Sequence, residues 1–161
     1  MINCLRHPIR ERFVPKAVLA LDVVLWLLAL PMALRIHGVP ILLKRLAVDG
    51  KQKRRTILEL EAVAGIVTRI CNLGIFRSSI FPKRCLRQSL ALYRALANMG
   101  YPVGIHFGVR KDENNLTGHS WVTLEGKPVA DTTYSGIFKA VYSHTSIGAS
   151  ETTTNQRTVD L

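Results

Sequence analysis

The chain is poor in cysteine, in carboxylates and in aromatic rings. Only Cys4, Cys71 and Cys85 carry thiols. They are too few for a disulfide framework and point to free thiols in a reducing, cytoplasmic compartment. No Cys-x-x-Cys occurs, and no pair of histidines shares a helix face, so neither a metal nor another cofactor is expected. A glycine-rich phosphate loop is also missing. Asp and Glu number 11 against 22 Lys and Arg, a formal charge of +11. That balance admits nucleic acid, anionic lipid or an acidic polypeptide as partner and selects none of them. Aromatic residues are 7% of the chain and few lie among the basic clusters, which argues against nucleic acid. Charged residues are 20% against 48% hydrophobic, too apolar for a disordered basic tail. There is no internal repeat. The length, 161 residues, is one domain's worth and enough to bury a core without covalent staples.

What the chain does have is a long apolar run followed by helical and then strand periodicity. Phe13 to Ile36 is the most apolar stretch, and between Ala17 and Leu34 only Asp22 is charged. Two readings stay open: a buried helix of a soluble domain, or a helix inserted in or lying on a membrane. Asp22 would be costly in lipid, and Pro31 would kink or end the helix. Basic residues flank both ends, so charge asymmetry gives no orientation, and no small-residue cleavage site marks a signal peptide. The densest cationic cluster, Lys51-Gln52-Lys53-Arg54-Arg55, reads as a solvated face and helix start, or as a contact for an acidic polypeptide, lipid or nucleic acid.

A second helix is expected from about Arg55 to Asn72, opened by a Thr56/Glu59 capping box. Its apolar face is Ile57, Leu60, Val63, Ala64, Val67, Ile70 and Cys71. A third begins after Pro82 and runs to about Met99, with Leu86, Leu90, Tyr93, Leu96 and Ala97 inward and Gly100 ending it. The period then changes to two at Val103, Ile105, Phe107 and Val109, a strand on which His106 is out of phase and exposed. Lys111 to Thr117 reads as a polar loop, Gly118 to Leu124 as a second strand, Glu125-Gly126-Lys127 as a turn, and Pro128 to Asp131 as the start of a third strand. Past Tyr142 the chain is rich in Ser and Thr and reads as frayed. The fold class is therefore α+β, a helical N-terminal half plus a small antiparallel sheet. Its expected parts are a helical region 1–80, a core 81–142 and a flexible tail 143–161.

Three residues carry candidate chemistry. Cys85 falls in the first turn of the third helix, where unpaired N–H groups, the helix dipole and nearby Lys83, Arg84 and Arg87 favour a thiolate. Cys71 sits at the opposite end of its helix, where the dipole disfavours one. His119 and Asp131 lie 12 apart across an expected hairpin. A turn with an odd number of residues, centred on Glu125, would set them opposite each other on one face. The carboxylate would then hold the imidazole. An even turn would place them on opposite faces. Trp121 shares the His119 face and either shields the site or packs as core. His7, His37 and His144 show no partner pattern.

The order helix-start Cys, strand His, next-strand Asp is that of transglutaminase-like and papain-like cysteine enzymes. A closer resemblance rests on Cys85-Leu86-Arg87-Gln88-Ser89-Leu90-Ala91-Leu92-Tyr93, Gly100, Gly108-Val109-Arg110, His119-Ser120-Trp121-Val122, Gly126-Lys127-Pro128-Val129 and Asp131. Over residues 81 to 134 these are similar to the lasso-peptide maturation protease family, the microcin-processing, transglutaminase-like group. The chain departs from that pattern at Gln88, Gly118, Ser120 and Thr123. The resemblance implies a Cys85–His119–Asp131 triad that removes the leader from a ribosomally made precursor peptide. It also implies two partners, a separate small leader-binding protein and an ATP-dependent macrolactam synthetase. Two other readings remain. One is an amide-forming, transglutaminase-like acyltransferase. The other is a non-catalytic, basic, membrane-associated binding module in which Cys85 is merely packed.

Overall fold

A computed structural model describes residues 16–46, 59–112, 115–130 and 137–146. Three helices, α1 (Lys16–Leu46), α2 (Leu60–Cys71) and α3 (Arg84–Asn98), precede four strands. The strands are β1 (Val103–Asp112), β2 (Asn115–Leu124), β3 (Lys127–Val129) and β4 (Lys139–Thr145), in one antiparallel sheet of order β3-β2-β1-β4. The α+β class expected from periodicity is the observed one.

Helix α1 runs ten residues past the apolar stretch that suggested it. Pro31 is carried inside it. The break falls instead at Gly38 (φ 67°, ψ 168°), and Pro40 two residues on suits the start of a new helical segment, where its missing N–H costs nothing. Leu19, Val23, Leu27 and Leu30 form a buried stripe. The opposite side is also apolar and faces outward: Val18, Leu21, Leu25, Leu28, Met32 and Ile36 are each more than half exposed. Asp22, the lone charge of the run, pairs with Arg94 of α3 (Nη2–Oδ1 3.0 Å), and that guanidinium lies 5.0 Å from the Trp26 ring. By length and composition α1 could cross a membrane, yet one of its faces belongs to the protein core.

Helix α2 buries Val63, Ala64, Val67, Ile70 and Cys71, the face that periodicity predicts. Its start differs from expectation. Glu59 is itself the N-cap, in an extended conformation (φ −60°, ψ 142°), so it cannot be the third helical residue of a Thr56 capping box. Thr56 and the Lys51–Arg55 cluster lie outside the described residues. Helix α3 ends where Gly100 (φ 83°) allows a left-handed residue. The Gly100 N–H reaches the Ala97 carbonyl (2.9 Å) and the Tyr101 N–H that of Leu96 (3.0 Å), which satisfies the final carbonyls.

Val103, Ile105, Val122 and Val129 put one face of the sheet into the helical core with Leu90, Tyr93 and Leu96 of α3. Three expectations fail here. Lys111 to Thr117 is mostly ladder, since Arg110↔Thr117, Lys111↔Leu116 and Asp112↔Asn115 pair. Main-chain pairing to a neighbouring strand outweighs side-chain polarity at an exposed sheet end. The chain is not frayed from 143: β4 reaches Thr145, His144 is fully buried against the Tyr93 ring, and the Ser146 hydroxyl accepts from the Val103 N–H (3.1 Å). Finally, the β2–β3 turn has two residues rather than three. Leu124 pairs with Lys127, and Glu125 (φ 50°) and Gly126 (φ 80°) both take the positive φ of a tight hairpin that matches strand twist.

Candidate active site

Cys85 is the second residue of α3 and is half-buried. The first intrahelical hydrogen bond runs from the Arg87 N–H to the Lys83 carbonyl (3.0 Å), so the N–H of Cys85 lies ahead of the ladder and is available to an oxyanion. Four residues on, the buried Ser89 hydroxyl donates to the Ser120 carbonyl (2.7 Å). One helical turn from Cys85, α3 is thus fastened to the strand that carries His119, at the residue next to it. Cys85, Gln88, Ser89, Ser120, Trp121 and Val129 surround a cavity of about 20 Å³, room for roughly one water.

His119 pairs across the ladder with Gly108. It shares a face with Trp121, as expected, and with His106. That face is turned away from the helical core, whereas Ser120 and Val122 point toward it. The His119 ring lies 6.2 Å from Trp121 at 14° and 5.0 Å from Phe138. Trp121 therefore borders both the Cys85 cavity and the imidazole. Among the described residues no hydrogen bond joins Cys85 to His119.

The hairpin turn has an even number of residues, the case in which strand alternation alone does not set His119 and Asp131 on one face. With Val122 opposite Val129, the register extended outward would set residue 131 against Ser120, not His119. The ladder stops at Val129, and Ala130 turns into the left-handed region (φ 67°). Asp131 itself, like Cys4 and His7, lies outside the described residues.

His106 is half-buried rather than exposed. Its Nδ1 meets the Ser143 hydroxyl and its Nε2 the Thr123 hydroxyl, each at 2.8 Å, and its ring stacks on Trp121 (5.5 Å, 21°). Burial lowers its pKa, so it is held neutral. The unfolded chain then binds the proton more readily. Stability should fall as pH drops through the ordinary histidine range toward the depressed folded value, and be regained above it. Melting from pH 5 to pH 7.5 should show that loss, and His106→Asn should flatten it. An unchanged slope in the variant would assign the effect elsewhere.

Two grooves escaped the sequence reading. One, of about 660 Å³, is lined by Arg77, Ser78, Ser79, Lys83, Arg84 and Arg87 among others. The second, of about 520 Å³, lies between α2 (Ala64, Gly65, Thr68) and Pro128 to Ala130. Val129 borders both this second groove and the Cys85 cavity. The second is built across elements distant in sequence, and the first from one stretch, residues 71–87, whose folding around Arg87 no composition signal reveals. Arg87, expected near Cys85 as a cation favouring its thiolate, is 4% exposed and donates to the carbonyls of Cys71 (2.8 Å), Phe76 and Pro82 (3.3 Å). Among the described residues no group of three or more His, Cys, Asp or Glu side chains could hold a metal ion.

Neither a curated protein nor a solved structure matches this chain. A family model matches residues 24–143, a span that takes in most of α1, all of α2 and α3, and the sheet up to β4. The chain belongs to the transglutaminase-like superfamily.

Proposed function

We propose that the chain is a cysteine peptidase that removes the leader from a lasso-peptide precursor. The observation that carries the reading is Cys85 at the open start of α3 in a transglutaminase-like domain, with the His119 strand fastened to the same helix by Ser89. Members of this superfamily are usually cysteine-type enzymes, and the domain is compatible with peptidase or acyltransferase chemistry.

In this reading His119 takes the Cys85 proton and the thiolate adds to the scissile carbonyl. The Cys85 N–H supports the oxyanion. Collapse breaks the C–N bond, His119 returns the proton to the leaving amine, and the leader stays as a thioester on Sγ. Water, deprotonated by His119, hydrolyses that thioester and restores the thiol. Asp131 orients the imidazole. Proton transfer requires His119 to come within one hydrogen bond, or one water, of Sγ around the β2 edge. The partners in this scheme are the precursor, a small leader-binding protein that positions it, and a macrolactam synthetase that uses the freed amine.

The test is to incubate the protein with precursor and leader-binding protein and weigh the products. A freed leader is expected. An isopeptide-linked mass would establish the acyltransferase reading instead, and unaltered precursor would leave the basic, membrane-associated module. Omitting the leader-binding protein should slow cleavage strongly, since holding the peptide is a large part of the rate.

A further inference from the structure

The larger groove meets α3 at the turn that bears Cys85, and its chemistry is one-sided. Arg77, Lys83, Arg84 and Arg87 line it, with the hydroxyls of Ser78 and Ser79, and no carboxylate among the described residues does. Arg87 is the anchor. A cation this buried is ordinarily matched by an acid. Here its guanidinium meets backbone carbonyls and the Cys71 thiol but no carboxylate among the described residues, and the buried Nε has no hydrogen-bond partner among them. Carbonyl dipoles satisfy its N–H groups without cancelling its charge. Arg77, Lys83 and Arg84 are exposed at the rim, where their side chains can close on a ligand. Lys83 and Arg84 directly precede Cys85 at the start of α3, while Cys85 itself lines the small cavity beside this groove rather than the groove. At about 660 Å³ the groove accommodates a side chain with its flanking backbone.

We infer that this groove holds an acidic side chain, Asp or Glu, of the peptide substrate close to the bond that Cys85 attacks. The inference rests on the peptidase reading for its substrate. It adds a specificity determinant: fixed cations that select a carboxylate and draw that stretch of peptide to the nucleophile.

The probes are two amidated Gly/Ser peptides with a neutral fluorophore, one with a Glu-Glu pair and the other with Gln-Gln. Anisotropy with the Cys85→Ala protein reads binding apart from turnover. The Glu peptide should bind at least about tenfold more tightly, and its affinity should fall with salt. The double variant Arg77→Gln/Lys83→Gln should erase the preference while melting like the parent. Lys111→Gln/Lys139→Gln, an equal loss of charge on the sheet, should retain it. Equal binding of the two peptides, or an equal loss in both double variants, overturns the inference and leaves only diffuse attraction to a chain of charge +11. Cleavage by wild type without a Glu/Gln difference would sink the groove but not the peptidase. A preference intact in a protein that cleaves no precursor would sink the peptidase but not the groove.

Discussion

Cys85→Ala is expected to abolish turnover, by at least about 10⁴-fold, with the fold intact. The magnitude follows from the role: without sulfur there is no thioester, and the remaining oxyanion contact and binding surface supply only a background rate. The fold should survive because the side chain is small, half-buried and at a helix start. Cys71→Ala is the matched control. Its thiol is fully buried, and that burial pushes its pKa up to about 11 against the weaker opposing pull of Arg87. Near pH 8 only about one such thiol in a thousand is ionised, so Cys71 is no nucleophile. Its loss should cost about 1–2 kcal/mol of packing and leave the chemistry alone. In a Cys4→Ser background iodoacetamide should label Cys85 and spare Cys71. Full turnover by Cys85→Ala would remove the peptidase reading at once.

Gly108→Ala should destabilise by about 2–4 kcal/mol, a drop in melting temperature on the order of 10 °C. A Cβ there would stand 2.9 Å from Trp121 Cη2 and Cζ3 and 2.9 Å from the Lys139 carbonyl. Neither neighbour yields cheaply. The Trp121 ring is 7% exposed and stacks with both His106 and His119, and the carbonyl is backbone of β4. Because Gly108 is the ladder partner of His119, the shift would also move the imidazole, and activity should fall beyond the loss of folded protein. Gly65→Ala is the counterpart: a Cβ there meets nothing within 4 Å, and α2 should gain up to about 1 kcal/mol. Coincident melts for wild type and Gly108→Ala would show that the ring does not rest on that glycine.

Much of this architecture is written in periodicity. The buried face of α2, the stripe Leu90, Tyr93, Leu96 and Ala97 of α3, and the alternation of β1 are local patterns, and they survive folding because each matches its partner surface. What escaped depends on pairing. A polar Lys111–Thr117 segment cannot announce that it will be zipped into a ladder. The β2–β3 turn could be two residues or three, and that one residue decides which face a later side chain takes. His106 and His144 carry no sequence mark of burial, since Thr123, Ser143 and Tyr93 reach them only through the assembled sheet and helix. The candidate site is legible in part. Cys85 is announced by Pro82 and the helix it precedes, and His119 by its strand. The Ser89 fastening and the buried cation of the basic groove exist only in three dimensions.

Val18, Leu21, Leu25, Leu28 and Met32 recur along the outside of α1 at alternating steps of three and four, the spacing of a seam between two helices. An isolated molecule keeps that seam wet. Covering it would recover on the order of several kcal/mol, a sizeable fraction of what holds a domain of this length together. In plain buffer, then, the ceiling on usable concentration is set by a helix remote in sequence from Cys85. Preparations should clump first through this flank, and Leu21→Lys with Leu25→Glu should keep them dispersed.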